Sequence, residues 1–159
     1  MSSPYDLARS TASGPAKANI DRIQSFFEAL ERFDFSAVGE MFSADGLYRD
    51  VPVAPDADAV GPEAITAKLD SAITGLDAFV LGVQRVVAQG DLVMSERVEE
   101  WHFPTGEVAK LPVMAAHEMR GDEIASWREY WNLPTLMEQL PQSWLEVQAQ
   151  RRTGETEAS

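Results

Sequence analysis

Two short segments of the chain place carboxyl groups among bulky apolar residues. In the first segment, Arg97 and Glu99 alternate along a predicted strand and therefore share one of its faces. In the second, Glu129 lies between Trp127 and Trp131 at the same alternating spacing. A carboxylate between two indole rings is costly to bury unless another group pairs with it. The two segments therefore predict carboxyl groups that share a partly apolar pocket.

Tyr48 and Asp50 add a phenol and a third carboxyl, because they share a face of an earlier predicted strand. If these faces line one pocket, the single guanidinium of Arg97 cannot neutralise three carboxylates. At least one carboxyl then has a raised pKa and stays protonated near neutral pH. A protonated acid beside an ionised one is what general acid/base catalysis requires. The pattern alone also fits a surface ion pair between Arg97 and Glu99 and a structural role for Tyr48.

The composition excludes several other kinds of site. The chain has no cysteine, so disulfides, thiolate metal sites and a cysteine nucleophile are ruled out. The two histidines, His102 and His117, lack the spacing of metal ligands. No glycine-rich phosphate loop is present. The sequence therefore predicts no metal and no cofactor, and a largely apolar pocket with a few polar groups favours a small hydrophobic substrate.

Length and charge limit the class of protein further. The chain has 159 residues, with 13 Lys and Arg against 26 Asp and Glu, which gives a formal charge of −13. So acidic a surface repels nucleic-acid phosphates and anionic lipid. No apolar run approaches the roughly 18 residues that a membrane span needs, and the first residues lack the features of a signal peptide. The sequence predicts a cytoplasmic protein that binds neither nucleic acid nor membranes.

The elements that must position the candidate residues follow from hydrophobic spacing. Small polar residues predict a flexible arm at 1–16 and a disordered tail at 153–159, on either side of a single domain at 17–152. Helical spacing of apolar residues predicts three N-terminal helices. The first helix begins near Ile20, the second carries Val38, Met41 and Phe42, and the third begins at Gly61-Pro62. Asp45-Gly46 is predicted to be a turn.

The downstream part of the chain is predicted to form strands. Four alternating segments joined by short turns predict an antiparallel meander between residues 79 and 131. A C-terminal helix follows from Leu133 to Arg152, interrupted near Pro141. Helices first and strands afterwards predict an α+β domain in which helices pack on one face of a sheet.

Several segments together resemble the limonene-1,2-epoxide hydrolase family. They are Tyr48-Arg49-Asp50-Val51-Pro52, Ser95-Glu96-Arg97-Val98-Glu99, Pro104-Thr105-Gly106, Leu111-Pro112-Val113-Met114 and Trp127-Arg128-Glu129-Tyr130-Trp131. The wider resemblance is to the nuclear transport factor 2-like (SnoaL-like) fold, which ketosteroid isomerase shares. This resemblance implies a cystatin-like α+β roll, in which a strongly curved mixed or antiparallel sheet wraps around a pocket that three N-terminal helices close. It also implies a homodimer.

The resemblance further implies a one-step addition of water to an epoxide. Glu99 matches the acid that protonates the epoxide oxygen, Glu129 the base that takes a proton from water, and Arg97 the group that bridges them. Tyr48 and Asp50 match the residues that hold the water. The family has Asp at the acid and base positions and Asn at the position of Asp50. The expected substrate contacts are Trp127, Trp101, Phe26, Phe27, Leu30 and Met114.

Two other functions stay open. Asp50 lies between a short strand and a proline, where the isomerase family keeps its basic Asp, which suggests proton transfer as in ketosteroid isomerase or polyketide cyclases. That reaction needs an oxyanion donor, and Phe26 and Phe27 stand where the first helix would supply it. The altered acid, base and amide positions also fit a non-catalytic protein that binds a small molecule. Titration of the pocket carboxyls separates a catalytic site from such a binding site.

Overall fold

The chain folds around one six-stranded mixed sheet. The structure, a computed structural model, describes residues 1–157. In chain order the strands are β1 (Phe42–Asp50), β2 (Ala59–Val60), β3 (Ala78–Gln89), β4 (Leu92–His102), β5 (Val108–Arg120) and β6 (Glu123–Tyr130). Their order in the sheet is β2-β1-β6-β5-β4-β3, with β1 parallel to β6 and every other neighbouring pair antiparallel. The strands β2 and β3 form open edges, and the predicted α+β class is confirmed.

Six helices accompany the sheet in the described part of the chain. They are α1 (Pro4–Thr11), α2 (Ala16–Glu31), α3 (Phe35–Glu40), α4 (Pro62–Ile73), α5 (Leu133–Met137) and α6 (Gln142–Glu157). A short 3-10 turn follows β1 at Val51–Val53. Among residues 1–157, no helix is long and apolar enough to cross a membrane.

Helix α2 packs its apolar stripe against the sheet and forms the centre of the core. Residues of this stripe recur every three or four positions and are buried, namely Ile20, Ile23, Phe26, Phe27 and Leu30. Burying one such side chain contributes about 1.5–3 kcal/mol. The ring of Phe26 meets Trp127 of β6 edge to face, with ring centres 4.8 Å apart. The face of the sheet that packs on α2 is called the inner face below.

Helix α1 lies within the segment predicted to be a flexible arm. Ser3 caps it: the Ser3 Oγ accepts from the backbone N–H of Asp6 at 3.1 Å, and the Asp6 carboxylate accepts from the Ser3 N–H at 3.2 Å. Ala8 is buried, and Arg9 donates to Asp21 of α2 at 2.5 Å. The sequence carries a signal for this helix start, since Ser3 stands three residues before Asp6 with a proline between them.

The start of β1 also differs from the prediction. Phe42 is not part of α3; it begins β1 and pairs with Ile124 of β6, whereas Leu47 pairs with Ser126. The residues between Phe42 and Leu47 therefore form a bulge inside the strand, not a turn before it. A Cβ atom on Gly46 would lie 3.0 Å from the Ile124 carbonyl oxygen, which explains glycine there. The bulge sets the register that brings the end of β1 beside the end of β6.

The C-terminal helix is interrupted as predicted. Helix α5 ends at Met137 and α6 begins at Gln142, with Pro141 between them. Leu136 of α5 and Trp144 of α6 are both buried. Helix α6 continues to Glu157, through most of the segment predicted to be a disordered tail, and residues 158–159 lie outside the described residues.

Candidate active site

A cavity of about 270 Å³ lies between the inner face of the sheet and helices α2, α4 and α5. Within the described part of the chain, its polar and charged lining consists of Tyr48, Asp50, Lys68, Arg97, Glu99 and Glu129. The larger apolar lining residues include Leu30, Phe79, Trp101, Leu111, Trp127 and Trp131. The volume lies just below the roughly 300–1,000 Å³ of pockets for drug-sized ligands, so the cavity suits a smaller molecule.

The strand register brings the charged residues of β4 and β6 together across β5. Arg97 pairs with Val113 of β5, and Glu129 pairs with Ala115 of the same strand. All of these side chains point to the inner face, and Val113 and Ala115 are short. The Arg97 side chain can therefore extend over β5 to reach Glu129. The sequence predicts this shared face, and the structure places Arg97, Glu99 and Glu129 in one pocket.

Arg97 bridges the two glutamates. Its Nε and Nη2 atoms donate to Oε1 of Glu99 at 3.1 and 2.7 Å, and Nη2 also donates to Oε1 of Glu129. The guanidinium is buried, 5.0 Å from the ring centre of Phe27. Buried charge without a partner is strongly unfavourable, so the two carboxyls and the guanidinium depend on one another for stability.

Glu129 is the carboxyl whose titration the fold alters most. Burial raises its pKa to about 8, an effect that the negative charges of Glu99 and Asp50 reinforce and that Arg97 opposes. At neutral pH Glu129 therefore carries a proton. The resemblance instead implies that Glu99 carries the proton.

The end of β1 contributes a phenol and a third carboxyl. Tyr48 pairs with Trp127 of β6, and Asp50 pairs with Glu129. The Tyr48 ring stacks on the indole of Trp127, with ring centres 3.9 Å apart. Its hydroxyl oxygen lies 3.1 Å from Oε2 of Glu129 and 3.3 Å from Oδ1 of Asp50. Tyr48 thus connects the two carboxyls, and it has one hydrogen to donate to either.

Two tryptophans donate to the other carboxyl oxygens. Trp101 Nε1 donates to Oε2 of Glu99 at 3.0 Å, and Trp131 Nε1 donates to Oδ1 of Asp50 at 2.9 Å. Each of these pairs joins a carboxyl to an indole that lines the cavity. The tryptophans therefore both shape the apolar wall and hold the carboxyls in place.

Lys68 is a site residue that the sequence reasoning missed. Its Nζ atom lies 2.9 Å from Oδ2 of Asp50, donates to the Ala57 carbonyl oxygen at 2.7 Å, and sits 4.1 Å from the ring centre of Tyr48. Ile65 and Leu69 belong to the apolar stripe of α4, and Lys68, three residues after Ile65, lies on the same face, but a lysine at such a position does not by itself indicate a pocket. The described lining of the cavity thus contains three carboxyls and two cations, Lys68 and Arg97.

Half of the expected substrate contacts line the cavity. Trp127, Trp101 and Leu30 are part of its wall. Phe26 and Phe27 are buried in the core and are not part of that wall. Met114 is corrected by the structure: it is 44% exposed on the opposite face of β5, and Leu111 lines the cavity from that strand instead.

His117 belongs to the core beneath the site. Burial lowers its pKa to about 3, so the ring is neutral, and it lies parallel to Trp127 with ring centres 6.0 Å apart. Within residues 1–157, no group of three or more His, Asp and Glu side chains is placed to hold a metal ion.

The chain belongs to the SnoaL-like domain family, whose model matches residues 23–127. This places it among the nuclear transport factor 2-like proteins and agrees with the wider of the two resemblances.

Solved structures with the same fold have diverse descriptions. An LEH-like epoxide hydrolase from M. tuberculosis is 21% identical, with a TM-score of 0.68 over 80% of this chain and 92% of that one. A hypothetical protein with a ketosteroid isomerase-like fold from Catenulispora acidiphila DSM 44928, in complex with trimethylamine, is 24% identical, with a TM-score of 0.67 over 78% and 96%. A putative SnoaL-like polyketide cyclase from Jannaschia sp. CCS1 is 15% identical, with a TM-score of 0.70 over 80% and 94%. At these identities the similarity shows the fold alone.

Proposed function

We propose that this protein adds water to a small hydrophobic epoxide in one general acid/base step. The observation that carries the proposal is the buried bridge from Arg97 to both Glu99 and Glu129 in the wall of an apolar cavity. One guanidinium between two carboxyls, of which Glu129 has a pKa raised by burial, can supply an acid and a base a few ångströms apart. An LEH-like epoxide hydrolase among proteins of the same fold supports this choice of reaction.

One glutamate donates the proton that the epoxide oxygen needs, and the other accepts the proton that water loses. Glu129, whose pKa is raised to about 8, gives its proton to the epoxide oxygen as the carbon–oxygen bond breaks. Water forms the new carbon–oxygen bond and loses a proton to Glu99. The product is a vicinal diol, and the pair has kept one proton, now on the other carboxyl. These roles are the reverse of those that the resemblance implies, because burial favours the proton on Glu129.

Diol formation from a panel of terpene, styrene and cyclohexene oxides tests the proposal. Glu99→Gln and Glu129→Gln keep the size of the side chain but remove the acid or the base, and each is expected to reduce turnover by about a hundredfold or more. Glu123→Gln is the matched control, because Glu123 lies on the same strand as Glu129 but is exposed. No diol from any epoxide of the panel with the unmodified protein would overturn the proposal.

Added azide separates the acid from the base. Azide attacks an epoxide without losing a proton, so it replaces the water and the base together but cannot replace the acid. If Glu99 is the base, Glu99→Gln regains turnover with azide and yields an azido alcohol, whereas Glu129→Gln does not. Rescue of Glu129→Gln alone would instead support the roles that the resemblance implies.

Proton transfer by Asp50 has less support from the geometry. That reaction needs an oxyanion donor, and Phe26 and Phe27 of α2, which stand where the first long helix would supply it, are buried in the core and have no group that donates. Isomerisation of a β,γ-enone that is lost in Asp50→Asn would favour this alternative, and tight binding of apolar compounds without any turnover would favour a non-catalytic pocket.

A further inference from the structure

We propose that Lys68 is a positioning residue of this site: through its ion pair with Asp50 it sets the direction in which Tyr48 hydrogen-bonds to Glu129. This inference rests on the proposed function and deepens it. No part of the motif resemblance includes Lys68, which lies on α4, an element distant in sequence from the strands that carry the two glutamates.

The environment of Lys68 supports a dedicated role. The side chain points into the cavity, where a cation without a partner is costly. It has two oxygen partners, Oδ2 of Asp50 at 2.9 Å and the carbonyl oxygen of Ala57 at 2.7 Å, and the face of the Tyr48 ring lies 4.1 Å away. Two of these contacts come from β1 and the third from the loop before β2, and together they fix the position of the ammonium group.

The hydroxyl of Tyr48 has one hydrogen and two candidate acceptors. If Tyr48 donates to Asp50, its oxygen is free to accept a hydrogen bond from a protonated Glu129. An ionised carboxylate can only accept hydrogen bonds, whereas a protonated one also donates. Lys68 holds Oδ2 of Asp50 and thereby keeps Oδ1 beside the Tyr48 hydroxyl as an acceptor. This contact favours one direction of hydrogen bonding, from Glu129 to Tyr48 and from Tyr48 to Asp50. The proton of Glu129 is then held on Oε2, the oxygen that faces Tyr48, while Oε1 accepts from Arg97.

The charges around the cavity agree with this direction. Charged groups reach it from α4 (Lys68), β1 (Asp50), β4 (Arg97 and Glu99) and β6 (Glu129). Helices α2 and α5 and strands β3 and β5 contribute apolar side chains among the described residues. Two cations, two carboxylates and one protonated carboxyl sum to zero. Without Lys68, the site keeps a net negative charge and Oδ2 of Asp50 loses its cationic partner. The Asp50 side chain is then less firmly held beside Tyr48, and Tyr48 is freed to donate to Glu129 instead.

A double-mutant cycle tests the inference. Lys68→Met removes the cation and keeps much of the length of the side chain, Asp50→Asn removes the carboxylate, and the double variant removes both charges. Lys17→Met on α2 is the matched control, since Lys17 is exposed. Each single variant is expected to lose about tenfold in kcat with little change in KM, less than the hundredfold loss from a 1 Å displacement. The double variant is expected to regain most of that loss, which is the sign of direct coupling.

The pH profile and the melting temperature complete the test. In Lys68→Met, the fall of turnover at alkaline pH moves to higher pH, because a nearby cation no longer favours the ionised carboxyls; the double variant moves it back. Wild-type kcat in Lys68→Met, or losses that simply add in the double variant, would overturn the inference. If the unmodified protein turns over no epoxide, the proposed function fails, and the same cycle in melting temperature at pH 7 still decides whether Lys68 and Asp50 are coupled.

Discussion

Burial and the positive charge of Arg97 act on the pKa of Glu129 in opposite directions. Its side chain is almost fully enclosed, which favours the neutral acid, while Arg97 favours the carboxylate. Burial prevails because Arg97 is shared with Glu99 and because Asp50 adds a further negative charge nearby. A pKa near 8 in such a place makes this side chain an acid that holds its proton at neutral pH and can still release it.

Turnover of an epoxide is expected to fall as the pH rises through about 8, because Glu129 then loses the proton that the epoxide oxygen needs. The measurement is kcat against pH from about 6 to about 10, on a substrate that is stable over that range. Turnover that instead rises through the same interval would identify Glu129 as the base.

The raised pKa of Glu129 also predicts how the free energy of unfolding depends on pH. The pKa of Glu129 is about 8 in the folded chain and near its ordinary 4.5 when unfolded, so the folded state holds an extra proton between these values. The resulting stabilisation is fully present below about 4.5 and is lost as the pH rises through 8. Glu129→Gln removes this contribution, and its free energy of unfolding in urea should fall less between about pH 5 and about pH 8 than that of the unmodified chain. Equal pH dependence in the two proteins would contradict the assigned shift.

At the scale of elements, alternation along strands predicts much of the site. The two-residue spacing by itself places Arg97 and Glu99 on one face of β4, and Trp127 and Glu129 on one face of β6. The expectation for Met114 does not follow this spacing: Lys110 and Glu118 share its alternating positions on β5 and mark that face as the outer one, whereas Leu111 and Val113 alternate to the inner face.

Other elements depend on contacts between distant parts of the chain. Lysine is usually exposed, so Lys68 within an apolar stripe carries no clear signal unless the position of Asp50 across the pocket is known. The bulge in β1 depends on pairing with β6, which lies far downstream in the chain. Helix α1 is short and mostly polar, and a helix of this length is stable only when it is docked on other elements.

Docking of α1 can be tested at two adjacent residues. Ala8 is 5% exposed, whereas its neighbour Leu7 is 66% exposed. Ala8→Glu should lower the melting temperature by several degrees, because a buried charge would separate α1 from the body of the protein. Leu7→Glu makes the same change on the solvent side and should leave the melting temperature nearly unchanged. Two variants with equal melting temperatures would mean that α1 adds no stability and that the N-terminal segment behaves as an arm.

At the scale of the whole molecule, the two faces of the sheet have different surroundings. The inner face is covered by helices and holds the cavity. The opposite face, called the outer face here, carries six of the exposed large apolar side chains among the described residues, namely Val60, Val80, Val87, Val108, Met114 and Tyr130. Ion pairs lie between them on the same face, including Arg85 with Glu96 and Lys110 with Glu100. A face of this mixed kind is suited to an interface with a second folded protein.

We expect a second copy of this chain to cover the outer face, as the resemblance to homodimeric proteins implies. Met114 and Tyr130 pair across β5 and β6 and form the exposed apolar centre of that face. Met114→Glu would place a charge there and should shift the protein from dimer to monomer in light scattering at high micromolar concentration, since charged groups are depleted from interface cores. Met137→Glu is the matched control, because Met137 is exposed to a similar degree but lies on α5, which packs on the inner side of the sheet. A monomeric unmodified chain, or a dimer that only Met137→Glu disrupts, would contradict assembly through the outer face.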